Sequence, residues 1–411
     1  MSLLEAYAAE AGEDALAQLR QLAAPLQGMR WVHVNSTRIG GGVAEILAKL
    51  VPLARELGID AQWEVIAGDA WFYECTKKFH NGIQGHPVNI SPELLEAYER
   101  VNAENAERLR PQLEAADFVF VHDPQPAPLL GLCPERSGRW VWRCHVDASH
   151  PHRPVWKYLR QHVGGYDASV FSLSAFAQRL PHPQYIVPPS IDPLSDKNRM
   201  LTEAEAAEVY SRFRLDPERP LITQISRFDR FKDPLGVIQA YALAKRFNPG
   251  LQLVLAGGSA TDDPEGEAVL AEVQAAAGQD PDIQVLLLAP DAHVQINALQ
   301  RASRLVVQKS LREGFGLTVT EAMWKGKPVI GGDAGGIRLQ VVNHHTGFLV
   351  GTPEGAALRI RYLLGQPEQI GAMGEKARRL VRENFLLTRQ LREYLTLMVA
   401  MLHGARDRIE L

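Results

Sequence analysis

The sequence repeats one short pattern, in which an apolar run ends at a loop of glycine or polar residues and a helical segment follows. In the most informative copy, Leu305–Gln308 predicts a buried strand, Gly314 and Gly316 allow a tight turn, and residues 317–325 have helical spacing. Strands that alternate with helices in this way form a parallel sheet with helices on both faces. The pattern therefore predicts an α/β protein built from doubly wound sheets.

The pattern recurs in both halves of the chain. Further strands are predicted in the second half at residues 221–226, 251–259, 283–289 and 327–332, and in the first half at residues 31–35, 118–122 and 140–143. Doubly wound sheets bind ligands at the carboxyl ends of their strands. In the second half, the residues predicted to meet at that edge are Arg227, Gly257, Ala289 and Glu313.

Length, charge and cysteine content limit the class of protein. At roughly 100–200 residues per domain, a chain of 411 residues predicts two domains. With 44 Lys and Arg against 48 Asp and Glu, the formal net charge of −4 argues against a nucleic-acid partner. The three scattered cysteines suit a reducing compartment. An acidic, amphipathic N-terminus and the lack of a run of roughly 20 apolar residues predict a cytoplasmic protein with no membrane partner.

Two carboxylates lie on either side of the glycine turn in the second half. Glu313 comes just before the turn, and Glu321 lies about two turns into the helix that follows it. The unpaired amides and the dipole at the start of that helix attract a phosphate group. Ionised carboxylates accept hydrogen bonds from the hydroxyls of a ribose or a hexose. The motif therefore predicts a site for a phosphorylated sugar, the alternative being a helix cap and a surface glutamate.

Two cations, Arg227 and Lys232, flank the loop that follows the strand predicted at residues 221–226. Fixed cations of this kind stabilise the negative charge that accumulates on a departing phosphate. The alternative is a solvated basic loop, which suits Arg230 better than its two neighbours. Three glycines at 40–42 follow the first strand, but residues 43–45 are Val, Ala and Glu, so the dinucleotide-binding pattern G-x-G-x-x-G is absent.

Residues 308–330, which read QKSLREGFGLTVTEAMWKGKPVI, resemble the donor-site signature of the retaining glycosyltransferases of family 4. Residues 121–126 (VHDPQP) and 142–147 (WRCHVD) resemble segments of the trehalose-forming glycosyltransferring synthases within that family. The resemblance covers nearly the whole chain. It implies the GT-B fold, in which two Rossmann-like doubly wound domains face a central cleft.

The resemblance also implies a role for each site residue. Arg227 and Lys232 would hold the donor diphosphate, Glu313 would position the donor sugar, and His145 would hold one of its hydroxyls. Glu321 would bind the ribose, and the loop at residues 290–294 would frame the base through backbone groups. The other implied donor-binding residues are Gly41, Gly42, Gly257, Gly314, Phe315, Gly316, Leu317 and Thr318, and the implied acceptor-binding residues are Asp123, Gln125 and Asp147.

Three prolines between Val187 and Pro193 predict the junction between the domains. The predicted domains are residues 1–189, on the acceptor side, and 190–385, on the donor side. A terminal helix in residues 386–411 is expected to cross back to the first domain. Residues 78–91 are predicted to form a loop.

The predicted function is transfer of glucose from UDP- or ADP-glucose to free glucose, which forms trehalose. The partners are thus a nucleoside diphosphate glucose and glucose, and a homodimer is left open. No cofactor or metal is expected, because Asp280-Pro-Asp282 is typical of a turn and the histidine pairs at 150/152 and 344/345 lack a third ligand. The alternatives are a trehalose phosphorylase, a family 4 transferase with another acceptor, a sugar-nucleotide epimerase and a catalytically silent binding protein.

Overall fold

Two parallel sheets of six strands each organise the chain. The structure is a computed structural model that describes residues 2–38, 42–258 and 264–404. The chain divides into two units: residues up to Ser190 together with those from Leu387 onwards form the first, and Ile191–Leu386 forms the second. The boundaries proposed from the sequence, after residues 189 and 385, lie one residue before these divisions.

The first sheet has the strand order β2-β1-β3-β4-β5-β6. Its strands are β1 (Arg30–Asn35), β2 (Asp60–Val65), β3 (Phe118–His122), β4 (Arg139–Cys144), β5 (Ala168–Phe171) and β6 (Gln184–Ile186). The helices of this part of the chain are α1 (Leu3–Ala11), α2 (Glu13–Ala23), α3 (Gly42–Glu56), α4 (Ala70–Ile83), α5 (Pro92–Glu114), α6 (Leu129–Leu132) and α7 (Arg153–Val163). The chain winds from β1 to β2 in one direction and then continues at β3 on the other side of β1. Because the winding direction changes there, the β1/β3 boundary is the switch point at which such sheets bind ligands.

The second sheet has the strand order β12-β11-β10-β7-β8-β9, so its switch point lies between β7 and β10. Its strands are β7 (Leu221–Ile225), β8 (Gln252–Gly257), β9 (Ile283–Leu287), β10 (Leu305–Gln308), β11 (Val329–Gly332) and β12 (Gly347–Val350). Its helices are α8 (Glu203–Arg212), α9 (Pro234–Lys245), α10 (Pro264–Ala277), α11 (His293–Ala302), α12 (Leu317–Trp324), α13 (Ile337–Gln340), α14 (Pro353–Leu364) and α15 (Pro367–Asn384).

The central strands are buried on both faces, as parallel strands covered by helices must be. All five residues of β3 and of β7 are buried, and they are almost all apolar or β-branched. Each fully buried large apolar side chain stabilises the fold by roughly 1.5–3 kcal/mol relative to an exposed one. The two cores therefore hold the strand ends, and the loops that follow them, in fixed places.

The terminal helix α16 (Leu387–Leu402) belongs to the first unit and packs against α2 and α3. Its buried face includes Leu391, Leu395 and Met398. Tyr394 extends from the same helix to Phe120 of β3, with ring centroids 5.3 Å apart. This packing accounts for the many apolar residues that the sequence places in the last helix.

The prediction of two doubly wound parallel sheets is confirmed, β3 and β10 have the predicted bounds, and α16 lies within the segment predicted for the terminal helix. The prediction of a loop at residues 78–91 is wrong for residues 78–83, because α4 continues to Ile83 and buries Phe79 and Ile83. Burial of these apolar side chains outweighs the glycines that suggested a loop. In the described ranges, no helix is both long and apolar enough to cross a membrane.

We expect replacement of Gly257 by Ala to destabilise the second unit. A β-carbon at Gly257, the last residue of β8, would lie 1.8 Å from the carbonyl oxygen of Ser226, which directly follows β7. Relief of that clash requires movement of backbone, so the free energy of unfolding should fall by about 1–3 kcal/mol in chemical denaturation. Gly258→Ala is the matched control, because its β-carbon would contact only the Leu288 oxygen at 3.7 Å. Equal stability of the two variants would contradict the expectation.

Candidate active site

The switch point of the second sheet is formed by the loops that follow β7 and β10. The amide of Leu311 donates a hydrogen bond of 2.7 Å to the carbonyl oxygen of Phe231 and so joins the two loops directly. From the β7 side, Gln224 donates its side-chain amide to the Lys232 carbonyl oxygen at 2.6 Å. These contacts bring Lys232 and Glu313, which are 81 residues apart in the chain, to the same place.

Lys232 and Glu313 form a half-buried ion pair. The Lys232 Nζ atom lies 2.8 and 2.7 Å from the two carboxylate oxygens of Glu313, and the Ser310 hydroxyl donates to the same carboxylate at 3.1 Å. The side chains are only 18% and 9% exposed. A carboxylate that accepts from three directions at once has a fixed orientation. Ser310 was not singled out from the sequence, because a serine in a loop carries no distinctive signal.

Arg227 stands at the end of β7 with 60% of its side chain exposed. Its Nη2 atom lies 3.6 Å from a carboxylate oxygen of Asp229, which itself accepts a hydrogen bond from the Phe231 amide and caps the short turn at Arg230–Lys232. Arg230 turns to another partner, Glu272, with N–O distances of 3.1 and 2.6 Å. Of the three basic residues in this loop, Lys232 therefore contacts Glu313 in the neighbouring loop, Arg227 is largely exposed at the end of β7, and Arg230 pairs with Glu272 of α10.

A second ion pair behind the first was missed at the sequence level. Lys309, which is buried, pairs with Asp233, and Asp233 has a left-handed backbone with φ of 52°. Asp233 also caps α9 by accepting a hydrogen bond of 3.1 Å from the Gly236 amide. A non-glycine residue in this conformation is strained and is held only by its surroundings. The Asp-Pro sequence at a helix start was the available signal.

The glycine turn before α12 leaves the start of that helix open. Gly316 is the N-cap residue with φ of 85°, and no side chain caps the helix. Leu317 and Thr318 are the first helical residues, whose amides have no acceptor within a helix. The amide of Gly336 donates a hydrogen bond of 2.9 Å to the Gly314 carbonyl oxygen and so holds the turn in place. The result is a rigid cluster of amide donors beside Glu313, suited to an anion.

Phe315 contributes differently from the rest of the turn. Its side chain is buried against Phe385, with ring centroids 5.6 Å apart, and its carbonyl oxygen accepts from Gln340 at 2.7 Å. The ring is thus engaged in packing and the carbonyl oxygen in a hydrogen bond, so Phe315 can contact a ligand through its backbone amide. In a glycine-rich turn the backbone is exposed to a ligand, so the side chain of Phe315 can pack into the core and hold the turn in place.

Glu321 lies in the middle of α12 and is only 6% exposed. One turn later, Lys325 is also buried and donates a hydrogen bond of 3.1 Å to the Asn198 side chain. Burial lowers the pKa of Lys325 to about 7, and the Glu321 carboxylate acts in the opposite direction. The second unit therefore contains a second buried carboxylate, Glu321, one helical turn before a lysine whose pKa burial lowers to about 7.

The remaining donor-side predictions are structural or fall outside the described residues. Asp280 and Asp282 both pair with Lys245, at 2.7 and 2.8 Å, so this D-x-D sequence forms a cation-paired turn. Across the described residues, no group of three or more metal-binding side chains is arranged around a common centre. Gly41 lies outside the described residues, and Gly42 is the first residue of α3. The loop predicted at 290–294 is wrong for residues 293 and 294, because α11 starts at His293.

In the first unit, three histidines on neighbouring strands form a continuous chain. Nδ1 of His33, in β1, lies 2.9 Å from Nε2 of His122, the last residue of β3. Nδ1 of His122 lies 3.0 Å from Nε2 of His145, which directly follows β4. His33 and His122 are buried, whereas His145 is partly exposed. Only His145 had been given a role from the sequence.

Asp123 links the ends of β3 and β4. It has a left-handed backbone with φ of 65°, and its carboxylate accepts a hydrogen bond of 2.7 Å from the His145 amide. Burial raises the pKa of Asp123 to about 6. The loop after it is held by α5, where Tyr98 donates to the Pro124 carbonyl at 2.5 Å and Asn102 to the Gln125 carbonyl at 3.1 Å.

The other acceptor-side candidates occupy different positions. Asp147 accepts a hydrogen bond of 2.9 Å from the Ser149 amide, which shapes the loop after β4 and leaves its second oxygen available. Arg143 is fully buried and donates to the Val187 carbonyl at 2.8 Å and the Ser172 hydroxyl at 3.3 Å. Arg143 therefore contributes a fixed positive charge behind the strand ends.

Three comparisons with known proteins bear on this arrangement. The family described as "Trehalose synthase, N-terminal domain" matches residues 33–178, and "Glycosyl transferases group 1" matches residues 208–380. The trehalose synthase of Pyrococcus horikoshii is 46% identical over 96% of this chain and 95% of its own. The trehalose phosphorylase of Pleurotus pulmonarius is 28% identical over 77% of this chain but only 49% of its own length.

Among solved structures, the UDP-forming α,α-trehalose-phosphate synthase of Burkholderia xenovorans, in complex with glucose-6-phosphate, aligns with a TM-score of 0.70. It is 15% identical and the alignment covers 90% of this chain and all of that one, so the likeness establishes the fold. The two parallel α/β units, this likeness of fold and the match to the glycosyltransferase family thus define a glycosyltransferase with the GT-B fold. The identity over nearly its full length places the chain in the trehalose synthase family.

The buried histidines make stability depend on pH. Burial lowers the pKa of His33 from 6.5 to about 3, so the unfolded chain takes up a proton that the folded protein rejects. Stability is therefore complete above pH 6.5 and is lost as the pH falls towards 3, by up to about 1.4 kcal/mol per pH unit.

We expect His33→Asn to reduce this slope, as measured by urea unfolding between about pH 7 and pH 5. His150→Asn, at an exposed position, is the matched control and should retain the wild-type slope. A variant at residue 33 with the wild-type pH dependence would show that His33 is not a buried neutral group.

Proposed function

We propose that this protein transfers glucose from a nucleoside diphosphate glucose, UDP- or ADP-glucose, to free glucose and forms trehalose with retention of configuration. The observation that carries the proposal is the Lys232–Glu313 pair beside the uncapped start of α12. A cation, an oriented carboxylate and free amides together match a diphosphate joined to a sugar. Membership of the trehalose synthase family supports the choice of product.

The diphosphate would be held without a metal. Arg227 and Lys232 supply two positive charges, and the amides of Gly314, Leu317 and Thr318 supply hydrogen-bond donors at the positive end of the α12 dipole. Phosphate departure concentrates negative charge, and preorganised donors stabilise that charge more strongly than they stabilise the substrate. We therefore assign Arg227 and Lys232 to the leaving group. Gly257 shapes the adjacent strand end, and the amides of Phe315 and Gly316 complete the turn.

Glu313 suits the role of a positioning group better than that of a nucleophile. Its carboxylate already accepts hydrogen bonds from Lys232 and Ser310, which reduces its capacity to attack a sugar carbon. Transfer passes through an oxocarbenium-like state. We propose that the departing phosphate deprotonates the acceptor on the same face, which retains the configuration, while Glu313 orients the donor sugar. Glu321 would accept the ribose hydroxyls.

The acceptor side favours a neutral sugar. Asp123, Gln125 and Asp147 offer carboxylate and amide groups, with His145 beside them, and such groups bind hydroxyls. A phosphorylated acceptor would call for clustered cations. Arg143 is buried with carbonyl and hydroxyl partners, and Arg38 stacks on Trp63 at 4.6 Å and donates to its carbonyl oxygen at 3.2 Å.

A trehalose phosphorylase is the second candidate, because phosphorylases of trehalose are among the relatives of this chain. Inorganic phosphate could occupy the place that Arg227 and Lys232 provide. The two activities differ in the co-substrate, which is a nucleotide sugar for the synthase and phosphate for the phosphorylase.

The reaction product tests the proposal. The purified protein is incubated with labelled glucose and each of UDP-, ADP- and GDP-glucose, with EDTA, and products are identified by carbon NMR. We expect a non-reducing disaccharide whose two anomeric carbons are both α, formed in the presence of the chelator. Parallel reactions with glucose 1-phosphate, and with trehalose plus phosphate, test the phosphorylase. A reducing product, a strict need for glucose 6-phosphate, or loss of activity restored by Mg²⁺ or Mn²⁺ would each contradict part of the proposal.

Removal of the Lys232 charge should impair turnover far more than folding. If Lys232 stabilises the departing phosphate, Lys232→Met should lower kcat by a factor on the order of 10²–10³, measured at saturating donor. Arg230→Met removes a cation from the same turn that pairs with Glu272 instead, and it should remain close to wild type. Similar kcat values for the two variants would remove Lys232 from the assignment.

The two carboxylates should separate nucleotide binding from transfer. Glu321→Gln should weaken binding of the free nucleoside diphosphate by roughly 10–100-fold, because it replaces charged hydrogen bonds to the ribose. Glu313→Gln should leave that affinity nearly unchanged and lower kcat. Calorimetric titration with UDP and ADP, alongside initial rates, measures both quantities. Equal losses of affinity would show that the two roles are wrongly divided.

A further inference from the structure

The histidine chain of the first unit has a geometry that fixes hydrogen positions. Between His33 and His122, the ring centroids lie 5.2 Å apart and the planes tilt by 28°; between His122 and His145 the values are 5.3 Å and 19°. The bridging nitrogen atoms are 2.9 Å apart in the first pair and 3.0 Å apart in the second. In each pair, the distance between ring centroids is close to this N···N distance plus the radii of the two rings. The rings therefore meet edge to edge, in hydrogen-bonding geometry.

The two ends of the chain differ. At the inner end, His33 Nε2 is buried and has no hydrogen-bond partner among the described residues. Its ring packs against Trp31 and Phe120, with centroids 4.3 and 5.5 Å away. At the outer end, His145 is partly exposed. Its Nε2 atom is hydrogen-bonded to His122, and its backbone amide donates to Asp123. Its Nδ1 atom is left for a ligand.

A neutral imidazole has one N–H donor and one acceptor nitrogen, so the whole chain has only two possible directions. In one direction, His33 donates from Nδ1 to His122, His122 donates from Nδ1 to His145, and His145 carries its hydrogen on Nδ1. In the reverse direction, His33 carries a hydrogen on Nε2, among aromatic rings that offer no oxygen or nitrogen acceptor. Among backbone groups, an orphaned buried N–H is rarer than an under-satisfied acceptor, and the same cost of an unpaired donor favours the first direction here.

Burial disfavours the charged form of all three rings. Burial lowers the pKa of each histidine, and the buried Arg143 guanidinium lowers the pKa of His122 and His145 further. Asp123 is the facing acidic group, and its carboxylate is engaged by the His145 amide. A protonated His145 would carry an N–H at both ring nitrogens, so its Nε2 atom could no longer accept the hydrogen bond from the His122 N–H.

From the two N···N contacts and the unpartnered inner nitrogen, we infer that His33 and His122 are positioning residues that hold His145 as the tautomer with hydrogen on Nδ1, so that this N–H donates to a hydroxyl of the bound sugar. The choice of a sugar as the recipient rests on the proposed function, whereas the direction of the chain rests on the histidine geometry alone. His145 is the catalytic residue of the three, and the other two act through it.

The test compares two substitutions of similar volume at the inner end. In His33→Asn the side-chain amide can still donate to His122 from the position of Nδ1, whereas in His33→Leu it cannot. We expect His33→Leu to lower kcat by about five- to tenfold, the usual effect of one lost hydrogen bond, and His33→Asn to recover most of the loss. KM for the nucleotide sugar should change little in either variant. Equal kcat values in both variants would overturn the inference.

The tautomer itself is read from ring nitrogen chemical shifts in the free wild-type protein labelled with ¹⁵N-histidine, with the His145 signals assigned through His145→Gln. We expect a protonated Nδ1 and an unprotonated Nε2 at His145. The opposite tautomer, or a charged ring near neutral pH, would overturn the inference even if His33→Leu failed to fold. This measurement needs no substrate, so it separates the inference from the proposed function. A wild-type protein that makes no trehalose would contradict the proposed function, whereas the ring nitrogen chemical shifts alone would decide whether the inferred tautomer is present.

Discussion

The parallel arrangement of both sheets is the constraint on which the rest of the structure depends. Every parallel strand ends at the same edge, and where the winding reverses, two neighbouring loops separate and leave room for a ligand. In the second sheet this happens between β7 and β10, and the loops that follow them carry Lys232 and Glu313. In the first sheet it happens between β1 and β3, which carry His33 and His122. Both groups of functional candidates thus follow from one topological rule.

The two sites treat charge differently. In the second unit, Lys232–Glu313 and Lys309–Asp233 place two ion pairs beside the open start of α12. Charged groups are costly to bury, and the pairing offsets that cost for the buried Lys309 and the largely buried Lys232. In the first unit, three histidines whose pKa values are lowered by burial, and Asp123, whose pKa burial raises to about 6, take the place of such ion pairs. A polar but weakly charged surface suits the hydroxyls of a sugar, whose recognition depends on the direction of each hydrogen bond.

Much of the site could be predicted because its signals are local. The strand, glycine turn and helix around Gly316 are specified by backbone requirements that a sequence displays openly, and Arg227, Lys232 and Glu313 stand at strand ends. Residues whose function depends on a distant partner were missed. Ser310, Lys309 and Asp233 acquire meaning only when β7 and β10 come together, and His33 resembled any polar residue in an apolar strand. The loop predicted at residues 78–91 was wrong for residues 78–83, because tertiary packing of Phe79 overrides a local preference for irregular structure.

The sequence by itself determined the class of fold, the places where strands end, and the chemical types of side chain gathered there. Hydrophobic periodicity and glycine positions are properties of neighbouring residues, so they can be recognised without a structure. Only the tertiary structure decided which of those side chains touch. It joined Lys232 to Glu313 across 81 residues, buried Arg143 behind the strand ends, and aligned His33, His122 and His145 edge to edge. Strand order sets such contacts, and strand order depends on long-range packing that no local pattern encodes.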